Sequence, residues 1–439
     1  MDILDRVSKL NDQIEVIRAG GNAEGFQIRG SDIDQMYVDK LTKVVSTIPN
    51  DIGKSVALLR MVKPFDVPKG YVKLIVLTPF TPLQHIREAA TKISNEYFLS
   101  NEVFLRSFQR HLTKGVRHGP CMLEKDDFGT EHDRAFCFEY KDWPIYANEW
   151  VSRRRKYGWP SSDLVKNIMR NGCHLMAIGS KSQDYTEFKY SMPEENPQWR
   201  EDPFQWRLSF SVAEKKLVYS FNDTQFLTFG ILKLLNNEVF SKDPIMKNCL
   251  CSYFLKTLMF WTIEDTPSEY WKPERLVFCV EVCLKRLIEW LDIGFCPNYF
   301  VRENNMFQGK VRESELKFTS ENISEIYKEG WRCLLRCHSL SYLKKCLEDA
   351  RRTMPCMNQN EDFKSLTSSR RHVENEEKEE VHDIGVFSEI NSMFVAIPGR
   401  DPLEKELRNS VTIEMTEDLD RADLDILRLR SYSIETGEI

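Results

Sequence analysis

The apolar residues of this chain change their spacing once, and that change limits the folds open to it. Up to about Ala213 they come in short runs broken by polar residues, and beyond Gln225 they recur every three or four positions over long stretches. Strand side chains alternate between two faces while helical ones return about every 3.6 residues, so the two patterns bury different surfaces. KLIVLTP (Lys73 to Pro79), AFCFEY (Ala135 to Tyr140) and QWRLSFSVA (Gln205 to Ala213) read as strands, the last with Trp206, Leu208, Phe210 and Val212 on one side. FLTFGILKLLNNEVF, CSYFLKTLMFWTIE and RLVFCVEVCLKRLIEWL read as helices. The spacing predicts an α+β protein, with a mixed helix-and-sheet lobe over 1–225 and an all-helical lobe over 226–355.

Two features refine the first lobe. Ile3, Leu4, Val7, Leu10, Ile14 and Ile17 stand close to helical spacing, which predicts a helix over 2–18 that stops at Gly20-Gly21. IRGSDIDQMYV follows, and its alternation from Asp32 to Val38 predicts a strand.

Composition excludes several classes of protein. Of 439 residues, 41% are hydrophobic and 29% charged, and no stretch approaches the about 20 apolar residues of a membrane span. MDILDRVSKL holds no apolar signal-peptide core, so secretion is not expected. Twelve cysteines fall as singles or helical pairs with no CxxC, which suits reduced thiols in a cytoplasmic or nuclear compartment. Cys333, Cys337, His338 and Cys346 have the residue types for zinc, but cysteines four apart on a helix are more often small buried residues, and no zinc is expected.

The net charge of −6 conceals an asymmetry. Residues 356–439 hold 20 acidic and 10 basic residues, which leaves +4 on residues 1–355. The segment includes the run Glu374 to Glu380 and reads as a largely disordered acidic tail with short helices near 403–408 and 418–430, able to shield a basic face. Basic residues bunch at Arg106 to Arg117, at Lys215-Lys216, and at Arg153, Arg154, Arg155 and Lys156. Such bunches suit polyanions, although most are solvated faces.

The segment from Ala19 to Val38 carries the chemistry. Asp32 and Asp34 stand two apart on the expected strand and so project from one side. Neighbouring carboxylates repel unless a divalent cation lies between them, and the backbone N–H groups of a Gly-Gly turn can hold phosphate oxygens. A two-metal site needs a third carboxylate. Asp133, at the head of AFCFEY, is the first candidate, with Glu131, Asp126 and Asp127 as competitors.

GGNAEGFQIRGSDID, HGPC (His118 to Cys121), the AFC run after Asp133, the Trp-Pro pairs at Trp143 and Trp159, and WRLSFS (Trp206 to Ser211) together resemble the male-abnormal-twenty-one (Mab) family. That family includes cyclic GMP-AMP synthase and the cyclic GMP-AMP synthase-like receptors, and the likeness runs from about Ile3 to Phe307. It implies a nucleotidyltransferase-type sheet lobe with Asp32, Asp34 and Asp133 binding two Mg2+ or Mn2+ ions. It places Gly20 and Gly21 at the nucleotide phosphates, with Gly21 where relatives often have serine, and Arg207 and Ser209 at the incoming base. In the helical lobe, Lys233, Ser252, Tyr253 and Lys256 fall on nucleotide-binding positions.

The resemblance further implies ATP and GTP as substrates, a cyclic dinucleotide product made in innate immune signalling, and activation by nucleic acid with ligand-induced dimerisation. Double-stranded RNA is favoured over DNA, because the stretch after Glu214 lacks the His and Cys residues of the synthase's zinc thumb. Arg153, Arg154, Arg155 and Lys156 are the candidate nucleic-acid contacts. Ala135 replaces a base-selecting threonine, which leaves base preference open. The other reading is a catalytically inactive Mab-like nucleotide-binding or developmental scaffold, and against it stands the repulsion among three retained carboxylates.

Overall fold

The computed structural model describes residues 8–11, 13–26, 32–48, 56–109, 116–119, 121–125, 129, 131–182 and 200–340. The acidic segment 356–439 and its expected helices lie outside the described residues. The chain divides into two compact units, Met1–Ser220 with Gly294–Arg312, and Phe221–Ile293 with the residues from Glu313 onward.

The first unit is built on strands β1 (Ser8–Asn11), β2 (Ile14–Arg18), β3 (Ile33–Asp39), β4 (Thr42–Val45), β5 (Ala57–Val62), β6 (Tyr71–Val76), β7 (Ala90–Ile93) and β8 (Glu96–Leu99). It continues with β9 (Val116–His118), β10 (Cys121–Lys125), β11 (Glu131–Tyr140), β12 (Cys173–Met176), β13 (Lys181–Ser182), β14 (Arg200–Glu201) and β15 (Gln205–Ser209). Its helices are α1 (Gly20–Ala23), α2 (Gln84–Ala89), α3 (Asn101–Gln109), α4 (Asn148–Ser152), α5 (Ser162–Met169) and α6 (Ser211–Tyr219). The main path of the sheet runs β1-β2-β3-β11-β12-β15-β6-β5-β4, with β9-β10 branching from β11 and β7-β8 from β6. Strands β3 and β11 are parallel, although about a hundred residues separate them, and both neighbours of that pair run antiparallel to it.

Alternation gives this sheet two unlike faces. Phe138 packs on Phe104 and Trp206 at ring distances of 5.0 and 5.2 Å, and the Trp206 indole donates to the Leu99 carbonyl, so one face is an aromatic core. The opposite face of β3, β11 and β12 carries the buried set Met36, Val38, Ala135, Cys137 and Met176. Asp34 precedes Met36, and Asp133 precedes Ala135, by two residues, so both acids end the rows of this second face.

Two sequence expectations are corrected. Of the helix expected over 2–18, the described residues 8–11 and 13–18 form the hairpin β1-β2 instead, with Val16 opposite Tyr37 and Ile17 opposite Met36, and the rest lies outside the described residues. Ile14, Val16 and Ile17 are β-branched and gain an antiparallel partner in β3, an advantage local spacing does not report. Gly20-Gly21 accordingly opens α1 instead of closing a helix. The strand expected over 205–213 ends at Ser209, and Val212 belongs to α6, whose Ala213, Leu217 and Val218 are its buried face.

Gly294–Arg312 packs within the first unit. Asn298 and Asn305 fold it on itself, each Oδ1 accepting from backbone amides of the same segment. Phe300 then stacks on Phe210 at 4.5 Å and meets Trp150 at 5.0 Å.

The second unit contains α7 (Asp223–Glu238), α8 (Pro244–Cys249), α9 (Ser252–Asp265), α10 (Leu276–Ile293) and α11 (Glu313–Lys328). Asn222 and Gln225 form a capping box that starts α7, satisfying two amides that would otherwise lack partners. The core of α9 runs without interruption from Phe254 to Glu264. Cys333 and Cys337 are buried, and burial pushes both thiols up to about 12, while His338 is exposed and Cys346 falls outside the described residues. Among the described residues no helix is long and apolar enough to cross a membrane.

Candidate active site

Parallel pairing of β3 with β11 sets Asp133 directly beside Asp34 in register. Asp32 lies one residue ahead of β3, just outside the strand expected to contain it. Ligand oxygens of Asp32, Asp34 and Asp133 all fall within 4.8 Å of one another. Asp133 is buried and Asp34 half-buried, while Asp32 is partly exposed, so the cluster has a closed floor and an open side. Of the competitors for third acid, Glu131 pairs with Lys125 at 2.8 Å, and Asp126 and Asp127 lie outside the described residues.

These oxygens suit a divalent cation. Opposite ligands of a Mg2+ ion about 2.1 Å from each are about 4.2 Å apart, close to the observed span, and hard carboxylate donors match that metal. Clustering three anions without a cation between them would be repulsive.

Beside the acids, α1 begins at Gly20 with φ +68°. A Cβ built there would lie 1.7 Å from Asp34 Oδ2, so only glycine allows the turn to press so closely on the carboxylate. The Ala19 amide donates to the Asp34 carbonyl at 3.0 Å, and the Phe26 amide closes the turn onto Gly21. At the far end of α1 the Tyr219 hydroxyl donates to the Ala23 carbonyl at 2.7 Å.

Next to the acids the same face turns apolar. Cys121 sits opposite Ala135 in the β10-β11 ladder and packs, half-buried, on the Met36 cluster with Ile17, Ala19 and Ile178. Burial, helped by the fields of Asp133 and Asp34 and opposed by Arg207, pushes the Cys121 thiol up to about 12, so it stays a neutral thiol. Arg207 is half-buried on β15, and Ser209 shares a 2.9 Å hydrogen bond with Ser211.

The remaining residues singled out from sequence lie on other elements. Ser252, Tyr253 and Lys256 lie in the first turns of α9, in the second unit, with the buried Lys256 ammonium 5.7 Å from the Tyr253 ring centre. Lys233 is half-buried on α7, its ammonium 5.2 Å from the Phe229 ring centre. The basic run separates into two kinds of residue. Arg153, 7% exposed, donates to the Tyr299 carbonyl at 2.7 Å and stacks on that ring, and Arg155 donates to the Trp150 carbonyl at 2.6 Å. Arg154 and Lys156 are exposed.

Comparison with known proteins agrees with this plan. The first unit is of the nucleotidyltransferase class, since residues 69–220 match the Mab-21 protein nucleotidyltransferase domain. That span includes Asp133, Arg207 and Ser209 and begins after Asp32 and Asp34. Residues 227–325, which include Lys233, Ser252, Tyr253 and Lys256, match the Mab-21 protein HhH/H2TH-like domain. The chain belongs to the Mab-21 family.

A cyclic GMP-AMP synthase-like receptor of Magallana gigas is 27% identical over 166 residues, 37% of this chain and 27% of its own length. Another, of Aethina tumida, is 29% identical over 114 residues, 26% of each chain. Protein mab-21-like 3 of Danio rerio is 25% identical over 170 residues, 38% of this chain and 36% of its own length. The chain thus spans about a quarter to a third of the length of the curated relatives it matches.

Proposed function

We propose that this chain is a metal-dependent nucleotidyltransferase that joins ATP and GTP into a cyclic dinucleotide on binding nucleic acid, with duplex RNA as the favoured ligand. The observation that carries the reading is the convergence of Asp32, Asp34 and Asp133 within 4.8 Å. Two Mg2+ or Mn2+ ions, when bound there, would neutralise charge on the transferring phosphate and activate the attacking ribose hydroxyl. Asp34 and Asp133 would hold the ions from fixed strands, and Asp32 would close the open side. The Gly20-Gly21 backbone would steady triphosphate oxygens next to Asp34. Arg207 and Ser209 would orient a base above the apolar floor of Ala135 and Cys121. The family resemblance makes Lys233, Ser252, Tyr253 and Lys256 further candidates for nucleotide contact. Positioning and charge compensation would supply most of the rate.

Nucleic acid binding is supported by basic residues on the outside of the first unit. Arg154 and Lys156 are exposed, as are Lys166 and Arg170 at α5, and Lys215 and Lys216 on α6 are half-exposed. Arg153 and Arg155 serve the fold, as their carbonyl and ring contacts indicate.

The test is incubation of the full chain with labelled ATP and GTP, Mg2+ or Mn2+, and duplex RNA or duplex DNA. Product is expected only with metal, more with RNA than with DNA, and none from Asp34→Ala. Absence of product with both metals and both ligands would leave the non-catalytic scaffold as the correct reading.

A further inference from the structure

Helix α1 is only four residues long, below the length at which a helix holds itself, and its N-cap Ala19 makes no side-chain cap. Its position has to come from outside. The Ala19 amide on the Asp34 carbonyl, the burial of Phe26 just after the turn, and the Tyr219 hydroxyl on the Ala23 carbonyl all contribute to it. The last spans 196 residues of chain and ties the end of α6 to the turn. Gly20 at the other end of α1 lies so close to Asp34 that any movement of the turn changes the space open to that carboxylate.

We propose that Tyr219 is a positioning residue, holding α1 through its hydroxyl and thereby setting where the Asp34 carboxylate can lie beside Asp32 and Asp133. The inference rests on the reading of these acids as the metal-binding group. Tyr219 touches neither metal nor nucleotide in this account and acts only through α1. The residue is 43% exposed, so removing the hydroxyl leaves the Ala23 carbonyl open to water and costs the fold little. That separates a positioning role from a structural one.

The test compares Tyr219→Phe with wild type and with Ser220→Ala in the full chain. Ser220 is the control because it sits at the same helix end but accepts from Trp159 instead of bonding α1. Hydrogen exchange at the Glu24 and Phe26 amides, which close α1, should quicken about fivefold in Tyr219→Phe, the factor for one lost hydrogen bond. Tm should fall by no more than about 2–4 °C, which is what one such bond is worth. Mn2+ titration without nucleotide should show affinity weakened by about the same factor. Nucleotide transfer should fall in kcat with KM little altered. Exchange and Mn2+ affinity equal to wild type, or the same changes in Ser220→Ala, would overturn the proposal. If wild type transfers no nucleotide, the enzymatic reading fails while the exchange and Mn2+ measurements still judge Tyr219.

Discussion

Asp34 and Asp133 are direct neighbours in a parallel ladder, although 99 positions separate them in the chain. Backbone hydrogen bonds on both strands hold them side by side, so their closeness does not depend on flexible side chains finding one another. A pair of anions imposed by the sheet itself is a standing electrostatic cost until a cation joins it.

Replacing one acid should therefore have opposite effects on stability and activity. Asp133→Asn is expected to raise Tm without metal by about 2–4 °C, from about 1 kcal/mol of relieved repulsion, and to abolish nucleotide transfer. Mn2+ should raise Tm in wild type and not in the variant. Thermal scans with and without Mn2+ check this, and an equal metal-induced rise in both would refute it.

Gly20→Ala should act through Asp34. The left-handed backbone costs alanine about 1 kcal/mol, and the added methyl meets Oδ2 at 1.7 Å, so Mn2+ binding should weaken strongly. In Gly20→Ala/Asp34→Ala the contact with Oδ2 is gone, and only the Cβ at position 34, 2.9 Å from the new methyl, still crowds it. The stability losses should then fall short of additive by about 1 kcal/mol in a double-mutant cycle. Simple additivity would mean that the two residues do not compete for space.

His174 gives a dependence on pH. Burial lowers its pKa to about 4, against the usual value near 6.5, while nearby Glu139 and Glu15 pull the other way. The unfolded chain therefore takes up the proton first on acidification. Stability from this group is complete above about pH 6.5 and is lost as pH falls toward 4, by up to about 3 kcal/mol. Urea unfolding at pH 7 and pH 4.5 should show a smaller loss for His174→Phe than for wild type, and parallel losses would remove His174 as the cause.

The basic run should split in two by mutation. Arg153→Ala is expected to cost about 2 kcal/mol of stability, because a charged hydrogen bond and a ring contact are lost. Arg154→Ala/Lys156→Ala should leave Tm unchanged and lower the salt slope of duplex RNA binding by about 2. An unaltered slope would take both residues out of the interface.

Much of this was legible in the residues. The change from two-residue to helical spacing near Gln225 marks the passage from sheet to helices, because burying one face of each element forces that pattern whatever surrounds it. The Asp32-x-Asp34 spacing and the acid before AFCFEY pointed at the cluster for a similar local reason. Other features depended on partners distant in the chain. Spacing over 2–18 fits a helix as well as a hairpin, and over Ile14–Arg18 the hydrogen bonds of β3 decide between them. Four adjacent basic residues look alike until the Tyr299 and Trp150 carbonyls claim two of them. The hold of Tyr219 on Ala23, and of Gly20 on Asp34, leaves no periodic trace, since a single hydrogen bond or close approach between remote segments makes no demand on neighbouring residues. Local pattern reports which surface each element buries; which elements meet, and so where the charges gather, follows from packing the whole first unit.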